Sequence, residues 1–171
     1  AEGILQTLIE IGTTNVEEPE NYNARANMVW SATLALNGLI GAGVPQDWAT
    51  HMIGHELTAM FGIDHGQTLA IVYPSVMEVV REQKQAKLVQ YAERVWNITT
   101  GSDDEKINQA ISKTRAFFES LGIKTRLSDY GVSADKIPAL VEQLKAHGMT
   151  ALSETGAITP EISQKILENA L

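Results

Sequence analysis

Three closely spaced histidines are the residues of this chain best suited to chemistry. The run HMIGHELTAMFGIDH contains His51, His55 and His65, and His147 is the only histidine outside it. Side chains four apart share one face of a helix, about 6 Å from each other, so His51 and His55 should point the same way. Gly62 can end that helix, and a tight turn can return His65 towards the pair. Neutral imidazoles bind Zn²⁺ or Fe²⁺, so the spacing predicts a metal site.

The residues alone leave a second interpretation open, in which the three histidines are structural. The run is mostly apolar, and imidazoles on a buried face could instead form hydrogen bonds with carbonyl groups of the core. A zinc peptidase is excluded on spacing, because HExxH needs Glu directly after its first His. Met52 follows His51, and Ala59 stands where HELTA would need its second His. A metal-dependent hydrolase ranks last, since no glutamate base stands at the required spacing.

The segment from His51 to Pro74, HMIGHELTAMFGIDHGQTLAIVYP, resembles a signature region of the iron-containing alcohol dehydrogenases. Two longer segments, NYNARANMVWSATLALNGLIGAGVPQDWATHMIGHELTAM and KLVQYAERVWNITTGSDDEKI, resemble the branch of bacterial NADPH-dependent aldehyde reductases and butanol dehydrogenases. The resemblance covers essentially the whole chain. It implies that residues 1–171 form the all-helical, C-terminal metal-binding domain of a two-domain enzyme with the dehydroquinate synthase-like fold. An N-terminal α/β dinucleotide-binding domain would precede it.

The same resemblance implies roles for the histidines. His51 and His65 match two ligands of a divalent metal, Fe²⁺ or Zn²⁺, and His55 matches a catalytic, cofactor-binding histidine close to the nicotinamide. The implied reaction is hydride transfer between NADP(H) or NAD(H) and a small alcohol or aldehyde, with the metal polarising the oxygen. The family's Asp-x-x-x-His ligand pair, which precedes the two histidine ligands on an earlier helix, is absent here, because the only Asp four residues before a His is Asp47 and that His is His51 itself. The Gly-Gly-Gly-Ser loop is absent as well. The isolated chain should therefore be inactive, and a homodimer is expected for the full-length protein.

A stand-alone helical interaction module without catalysis is the competing hypothesis. The chain lacks an initiator Met and a capping residue before its first helical pattern, so we expect it to be part of a longer protein. The apolar face formed by Ile4, Leu5, Leu8 and Ile9 needs a packing partner and argues mildly against an independent module.

Composition limits the possible partners and location. The 171 residues suit one domain, and 44% apolar with 20% charged residues indicates a globular chain. The net charge of −8 should repel nucleic acid and anionic membrane surfaces. No apolar run reaches the length of a membrane span, and no signal peptide is visible. The absence of cysteine fits a reducing cytoplasm, where we expect the protein to be located.

Helical periodicity and Gly or Pro punctuation predict an all-α domain. Ser102 and Glu105 have the spacing of a capping box, and LAIVYP is the only strand-like run. Helices are predicted over residues 1–12, 23–40, 45–60, 66–72, 76–96 and 107–121, then before Gly148 and from Thr159-Pro160 to the end, with GSDDEK at 101–106 as a loop.

Four further side chains have expected roles beside these helices. Asp64 should cap a helix, with a place beside the metal as the alternative. His147 should interact with a helix C-terminus rather than bind metal. Core packing is expected for Trp30, Trp48 and Trp96, although Trp48 is close enough to the histidines to line a cleft.

Overall fold

The computed structural model describes residues 1–171 and consists of α-helices joined by turns and short 3-10 segments. No strand forms, and a single antiparallel bridge joins Leu152 and Ile158. The all-α prediction is therefore confirmed. The helices are α1 (Glu2–Glu17), α2 (Tyr22–Leu36), α3 (Ala49–Phe61), α4 (His65–Val79), α5 (Gln85–Val95), α6 (Asp103–Ser120), α7 (Ile137–Ala146) and α8 (Pro160–Asn169). Three 3-10 segments lie at Leu39–Gly41, Leu127–Tyr130 and Ala134–Lys136. None of the helices is long and apolar enough to cross a membrane.

The chain divides into two compact units. The first unit comprises residues 1–45 and 85–122, in which α1 packs against α2 and α5, and α5 packs against α6. Gly12 allows a close approach inside this unit, because a Cβ atom there would lie 2.8 Å from Cζ of Phe117. The predicted capping box is present at the start of α6, where Ser102 and Glu105 each accept from the other's backbone N–H. Trp96 packs against buried Ala92 and Ala110, as predicted.

Helix α2 presents a largely apolar surface to solvent, which we call the exposed α2 face. Its large side chains are Tyr22, Val29, Trp30 and Leu36, each more than 60% exposed, and Leu39 in the following 3-10 segment adds to it. Tyr22, Val29 and Leu36 recur every seven residues and so form one stripe. The prediction that Trp30 packs in the core is wrong, because α1 covers a different side of α2.

The second unit comprises residues 46–84 and 123–171 and contains α3, α4, α7 and α8. Helix α3 packs against α4 and α7, while α8 packs against both α4 and α7. Fully buried side chains from each helix meet in one core, whose largest members include Ile53, Leu57, Ile71, Leu140, Leu144, Ile166 and Leu167. As predicted, Thr159 caps α8, because its side chain accepts a hydrogen bond from the backbone N–H of Ile162.

The predicted end before Pro74 and the predicted helix over 76–96 are both wrong. Helix α4 continues through Pro74 to Val79, residues 80–84 form turns, and α5 begins at Gln85. An internal proline costs about 3 kcal/mol in an isolated helix. Here Pro74 is buried, and the residues on both sides of it, including Ile71 and Val76, lie in the core. Burial of this helix face offsets the local cost, a tertiary effect that local sequence rules do not include.

Four other boundaries differ by several residues from the sequence prediction. Helix α2 ends at Leu36 rather than at residue 40, because Gly38 takes a left-handed backbone. Helix α6 begins at Asp103, inside the predicted loop, because the capping box of Ser102 and Glu105 starts the helix there. Helix α1 continues to Glu17 through a segment expected to be loop. Helix α3 begins at Ala49 rather than at Pro45, because the Asp47 carboxylate accepts the backbone N–H of Ala49 at 2.8 Å and so stands outside the helix. The Asp47 side chain, which sets the start of α3, therefore lies four residues before His51.

Candidate metal centre

The hairpin of α3 and α4 positions the histidine cluster. His51 and His55 lie one turn apart on α3, and His65 is the first residue of α4. Gly62 ends α3 with a left-handed backbone (φ 69°), a conformation that glycine adopts without a steric penalty. The Thr58 hydroxyl donates to the Ile63 carbonyl at 2.8 Å and fixes the turn. The tight reversal predicted from the sequence is therefore present.

The three imidazoles converge at the open side of this hairpin. Nδ1 of His51 lies 3.2 Å from Nε2 of His65, and one nitrogen from each of the three rings lies within 4.8 Å of the others. The ring of His65 is centred 5.1 Å from each of the other two rings. His51 is half-buried, whereas His55 and His65 are exposed. His51 and His65 thus face each other, unlike histidines that bond separately to core carbonyls.

The spacing of the nitrogen atoms fits a shared divalent metal. Two nitrogen ligands on one tetrahedral Zn²⁺, each about 2.1 Å from it, lie about 3.4 Å apart. Ligands at right angles would lie about 3.0 Å apart at the same bond length. The 3.2 Å between His51 and His65 falls between these values. Three imidazoles without a carboxylate suit Zn²⁺ or Fe²⁺ and disfavour the oxygen-preferring Mg²⁺ and Ca²⁺.

The protonation of His51 also favours metal binding. Burial lowers the pKa of His51 below its ordinary value of 6.5, and the nearby charges of His65 and His55 lower it further. The neutral imidazole, which is the form that binds metal, therefore persists to lower pH than in a solvated histidine.

A close approach between Gly54 and Thr68 sets the distance between α3 and α4 beside the cluster. A Cβ atom at Gly54 would lie 2.7 Å from the Thr68 hydroxyl and 3.3 Å from the Thr68 Cβ. Thr68 is fully buried, and its hydroxyl donates to the His65 carbonyl at 2.7 Å. One side chain therefore contacts both the helix that carries His51 and His55 and the residue that supplies the third imidazole.

Trp48 and Asp64 flank the cluster in different ways. The Trp48 ring lies 5.1 Å from that of His51 at an interplanar angle of 56°, and the residue is 46% exposed. Trp48 therefore lies at the rim of the site and does not pack in the core. Asp64 occupies the N-cap position of α4, but its side chain makes no capping hydrogen bond. The capping role predicted for the Asp64 side chain is thus wrong, and Asp64 contributes its backbone carbonyl instead, which accepts from the Thr68 N–H at 2.9 Å.

His147 lies outside the cluster, at the C-cap of α7, where the sequence placed it. Its Nδ1 is 2.6 Å from Oε1 of Glu56, a carboxylate that is only 6% exposed. A buried carboxylate needs such a partner, and this contact joins α3 to α7. Sequence reasoning missed Glu56, since its partner is 91 residues away along the chain.

A bridging lysine is a second feature that sequence reasoning missed. Nζ of Lys84, in the turn after α4, lies 2.5 Å from Oδ2 of Asp47 and 2.7 Å from Oε2 of Glu154. Nothing in the sequence around Asp47 or Glu154 pointed to Lys84 as their partner. The separations of 37 and 70 residues explain why no local pattern could find the bridge.

Comparisons with known proteins agree with this architecture. The family model described as Fe-containing alcohol dehydrogenase family, C-terminal, matches residues 1–170. The chain is 64% identical over 170 residues to the NADPH-dependent aldehyde reductase YqhD of Escherichia coli (strain K12), covering 99% of this chain and 44% of that protein. It is 36% identical over 170 residues to the NADH-dependent butanol dehydrogenase A of Clostridium acetobutylicum, covering 98% of this chain and 43% of that protein. This chain thus spans less than half the length of these relatives.

Solved structures show the same fold. The substrate- and cofactor-free aldehyde reductase YqhD from E. coli superposes with a TM-score of 0.98 at 63% identity, covering 99% of this chain and 45% of that one. The NADH-dependent butanol dehydrogenase A of Thermotoga maritima superposes with a TM-score of 0.90 at 31% identity, covering 99% and 44%. The helical fold predicted from the resemblance is confirmed at this level of similarity.

Proposed function

This chain belongs to the iron-containing alcohol dehydrogenase family, and from that premise we propose that residues 1–171 are the metal-binding, substrate-side domain of an NAD(P)-dependent alcohol dehydrogenase or aldehyde reductase. The observation that carries the proposal is the 3.2 Å separation between the ring nitrogens of His51 and His65. In this proposal His51 and His65 bind the metal. His55 is the catalytic and cofactor-facing histidine, because its ring is exposed and its nitrogen lies within reach of the same point.

A bound Fe²⁺ or Zn²⁺ would act as a Lewis acid on the oxygen of a small alcohol or aldehyde during hydride transfer. The chain's own residues would hold the neutral imidazoles of His51 and His65 in place through the α3–α4 hairpin. His55 would hold or transfer a proton at a ring nitrogen, since an unperturbed imidazole changes charge close to neutral pH. Trp48, packed beside His51 and partly exposed, would shield one side of the site from water.

Parts outside these 171 residues complete the proposal. An N-terminal dinucleotide-binding domain would supply NADP(H) or NAD(H) and two further metal ligands, and the full-length enzyme would form a homodimer. The relatives named above are a reductase that depends on NADPH and a dehydrogenase that depends on NADH. Since this chain covers less than half of each, the cofactor and substrate of the whole protein remain part of the proposal.

Metal titration of the chain tests the central claim. Co²⁺ reports a nitrogen-rich site through its visible absorption and can substitute for Zn²⁺ or Fe²⁺. We expect weak but measurable binding that His51→Ala and His65→Ala each abolish, and that His55→Ala weakens far less. His147→Gln is the matched control, because it removes the one histidine outside the cluster and retains a donor for Glu56. Equal affinity in all four variants would rule out the ligand assignment.

The alternative is a helical interaction module without catalysis, and the exposed α2 face favours it. Large apolar side chains on a helix surface are typical of protein–protein contacts. Absence of binding for Co²⁺, Zn²⁺ and Fe²⁺ at neutral pH would support this alternative, whereas His51-dependent binding would exclude it. A hydrolase is disfavoured, because the cluster contains no carboxylate that could act as a base.

A further inference from the structure

Lys84 makes an unusual three-residue bridge within the second unit. Its ammonium group contacts the carboxylates of Asp47 and Glu154 at 2.5 and 2.7 Å, and the three side chains are between 21% and 29% exposed. Most surface ion pairs contribute little to stability, because water and salt screen them and long side chains lose entropy. A single ammonium held by two partly buried carboxylates is more strongly restrained than such a pair.

The Asp47 carboxylate connects this bridge to the helix of the candidate metal centre. Oδ2 accepts from Lys84, while Oδ1 accepts from the backbone N–H of Ala49, the first residue of α3. Lys84 itself is tied to the end of α4, because its backbone N–H donates to the carbonyl of Val80 at 3.1 Å. The bridge therefore links the segment after α4 to the first turn of α3.

The position of His51 makes this link important for the site. His51 is the third residue of α3, and Asp47 lies just before the helix, with its carboxylate bonded to the first helical residue, Ala49. Ala49 packs in the core before His51, whereas the contacts of Gly54 with Thr68 and of Glu56 with His147 lie after it. Helix ends fray where their backbone groups lack partners, and Asp47 supplies a partner for the first N–H of α3, so it adds to the order of the turn before His51.

Charge balance keeps the bridge formed over a wide range of pH. Burial alone lowers the pKa of Lys84, but hydrogen bonds and charge interactions with Asp47 and Glu154 outweigh it and raise that pKa above its ordinary value. The ammonium therefore stays charged to higher pH than that of an ordinary lysine.

We propose that Lys84 is a positioning residue for the candidate metal centre: its bridge to Asp47 fixes the first turn of α3 and holds the His51 imidazole within ligand distance of His65. The proposal rests on the proposed function, since it concerns the same site. It assigns to Lys84 no contact with metal, substrate or cofactor.

Co²⁺ titration of the whole chain tests the proposal with three variants. Lys84→Met removes the ammonium and keeps the length of the side chain, Lys84→Arg retains a cation, and Lys106→Met is the matched control. Lys106 forms a similarly sheltered ion pair with Glu93, at 2.7 Å, in the first unit. We expect Lys84→Met to weaken Co²⁺ binding about tenfold or more, as loss of residues that orient ligands does. Lys84→Arg should recover most of that loss, and Lys106→Met should bind like the parent chain.

Each measurement is made at a temperature where far-ultraviolet circular dichroism shows the parent helix content. Unchanged Co²⁺ affinity in folded Lys84→Met overturns the proposal, as does an equal loss in Lys106→Met. If Lys84→Met fails to fold, Asp47→Asn takes its place, because the amide oxygen still accepts from Ala49 while the charge that attracts Lys84 is gone. The same tenfold loss is expected from Asp47→Asn, and parent-like affinity would overturn the proposal.

A metal-free readout separates failure of this proposal from failure of the proposed function. If the parent chain binds no Co²⁺, the metal assignment fails, but the arrangement of the rings can still be measured. Proton NOEs between Trp48 and His51, and between His51 and His65, should be present in the parent chain and in Lys106→Met. They should weaken or vanish in Lys84→Met. Their retention in Lys84→Met would show that the bridge does not position His51.

Discussion

Gly54→Ala should damage the candidate metal centre more than it damages the fold. The new methyl group would lie 2.7 Å from the Thr68 hydroxyl, 3.3 Å from the Thr68 Cβ and 3.6 Å from Cδ2 of Leu69. Ordinary van der Waals contact begins at about 3.5 Å. One way to relieve the clash is for α3 and α4 to separate by several tenths of an ångström. Turning the Thr68 hydroxyl away instead would break its bond to the His65 carbonyl. Both responses alter the spacing between His65 and the histidines of α3.

The two consequences of Gly54→Ala have different magnitudes. Overpacking costs about 1–3 kcal/mol, and the higher helix propensity of alanine returns about 1 kcal/mol. The net loss is therefore about 0–2 kcal/mol, which lowers the melting temperature by only a few degrees in a chain of this size. Metal sites tolerate displacements of about 0.2 Å, so Co²⁺ affinity should fall about tenfold or more.

Gly66→Ala provides the matched control for Gly54→Ala. Gly66 lies on α4 next to His65, and nothing lies within 4 Å of the position of its Cβ. We expect the parent Co²⁺ affinity and equal or slightly higher stability, measured by titration and by calorimetry on both variants. If Gly54→Ala binds Co²⁺ like the parent chain, the close approach does not set the spacing of the ligands, and the reasoning is refuted.

Three further predictions follow from the same structure. Metal affinity should be full near neutral pH and fall below about pH 6, because protons compete with the metal for His51 and His65. The stability of the metal-free chain should also depend on pH. Since folding lowers the pKa of His51, the unfolded chain binds this proton first as pH falls, and stability should decrease from about pH 6.5 downward. Zn²⁺ titrations between pH 5 and 8 measure the first effect, and constant affinity would contradict the assignment. His147→Ala leaves the buried Glu56 carboxylate unpaired and should cost about 1–3 kcal/mol in urea unfolding. Glu142→Ala breaks an exposed pair with Lys145 and should change the free energy of unfolding much less, so equal costs would refute the argument. The 171-residue chain loaded with Zn²⁺ should not oxidise NADPH with butanal, and turnover above the metal-free background would show that no other domain is required.

Local signals in the sequence were sufficient for the hairpin that carries the histidines. The four-residue spacing of His51 and His55, with Gly62 after them, describes one helix face and a left-handed helix end, and both depend only on residues close in sequence. The same holds for the capping box at Ser102 and for Thr159 before α8. In each case the deciding hydrogen bond spans five residues or fewer, so a short window of sequence contains all the information.

The wrong predictions share a different physical cause. Pro74 was expected to end a helix, and Trp30 was expected in the core, on local rules that the packing of whole helices overrides. Lys84, Glu56 and Thr68 have partners on another helix or in a distant loop, and no short window of sequence contains both members of such a pair. The candidate metal ligands could therefore be proposed from spacing and family resemblance, whereas the residues that we propose to position them required coordinates.

The exposed α2 face affects how stability of this chain can be measured. Environment-sensitive dyes such as ANS fluoresce on contact with apolar surface, and a folded chain that displays Tyr22, Trp30 and Leu36 already offers them such a surface. The fluorescence baseline before unfolding will be high, and the transition in a dye-based melt will be shallow or inverted. Circular dichroism at 222 nm follows the helices themselves, and is the signal from which the effects of Gly54→Ala and Lys84→Met on folding should be read.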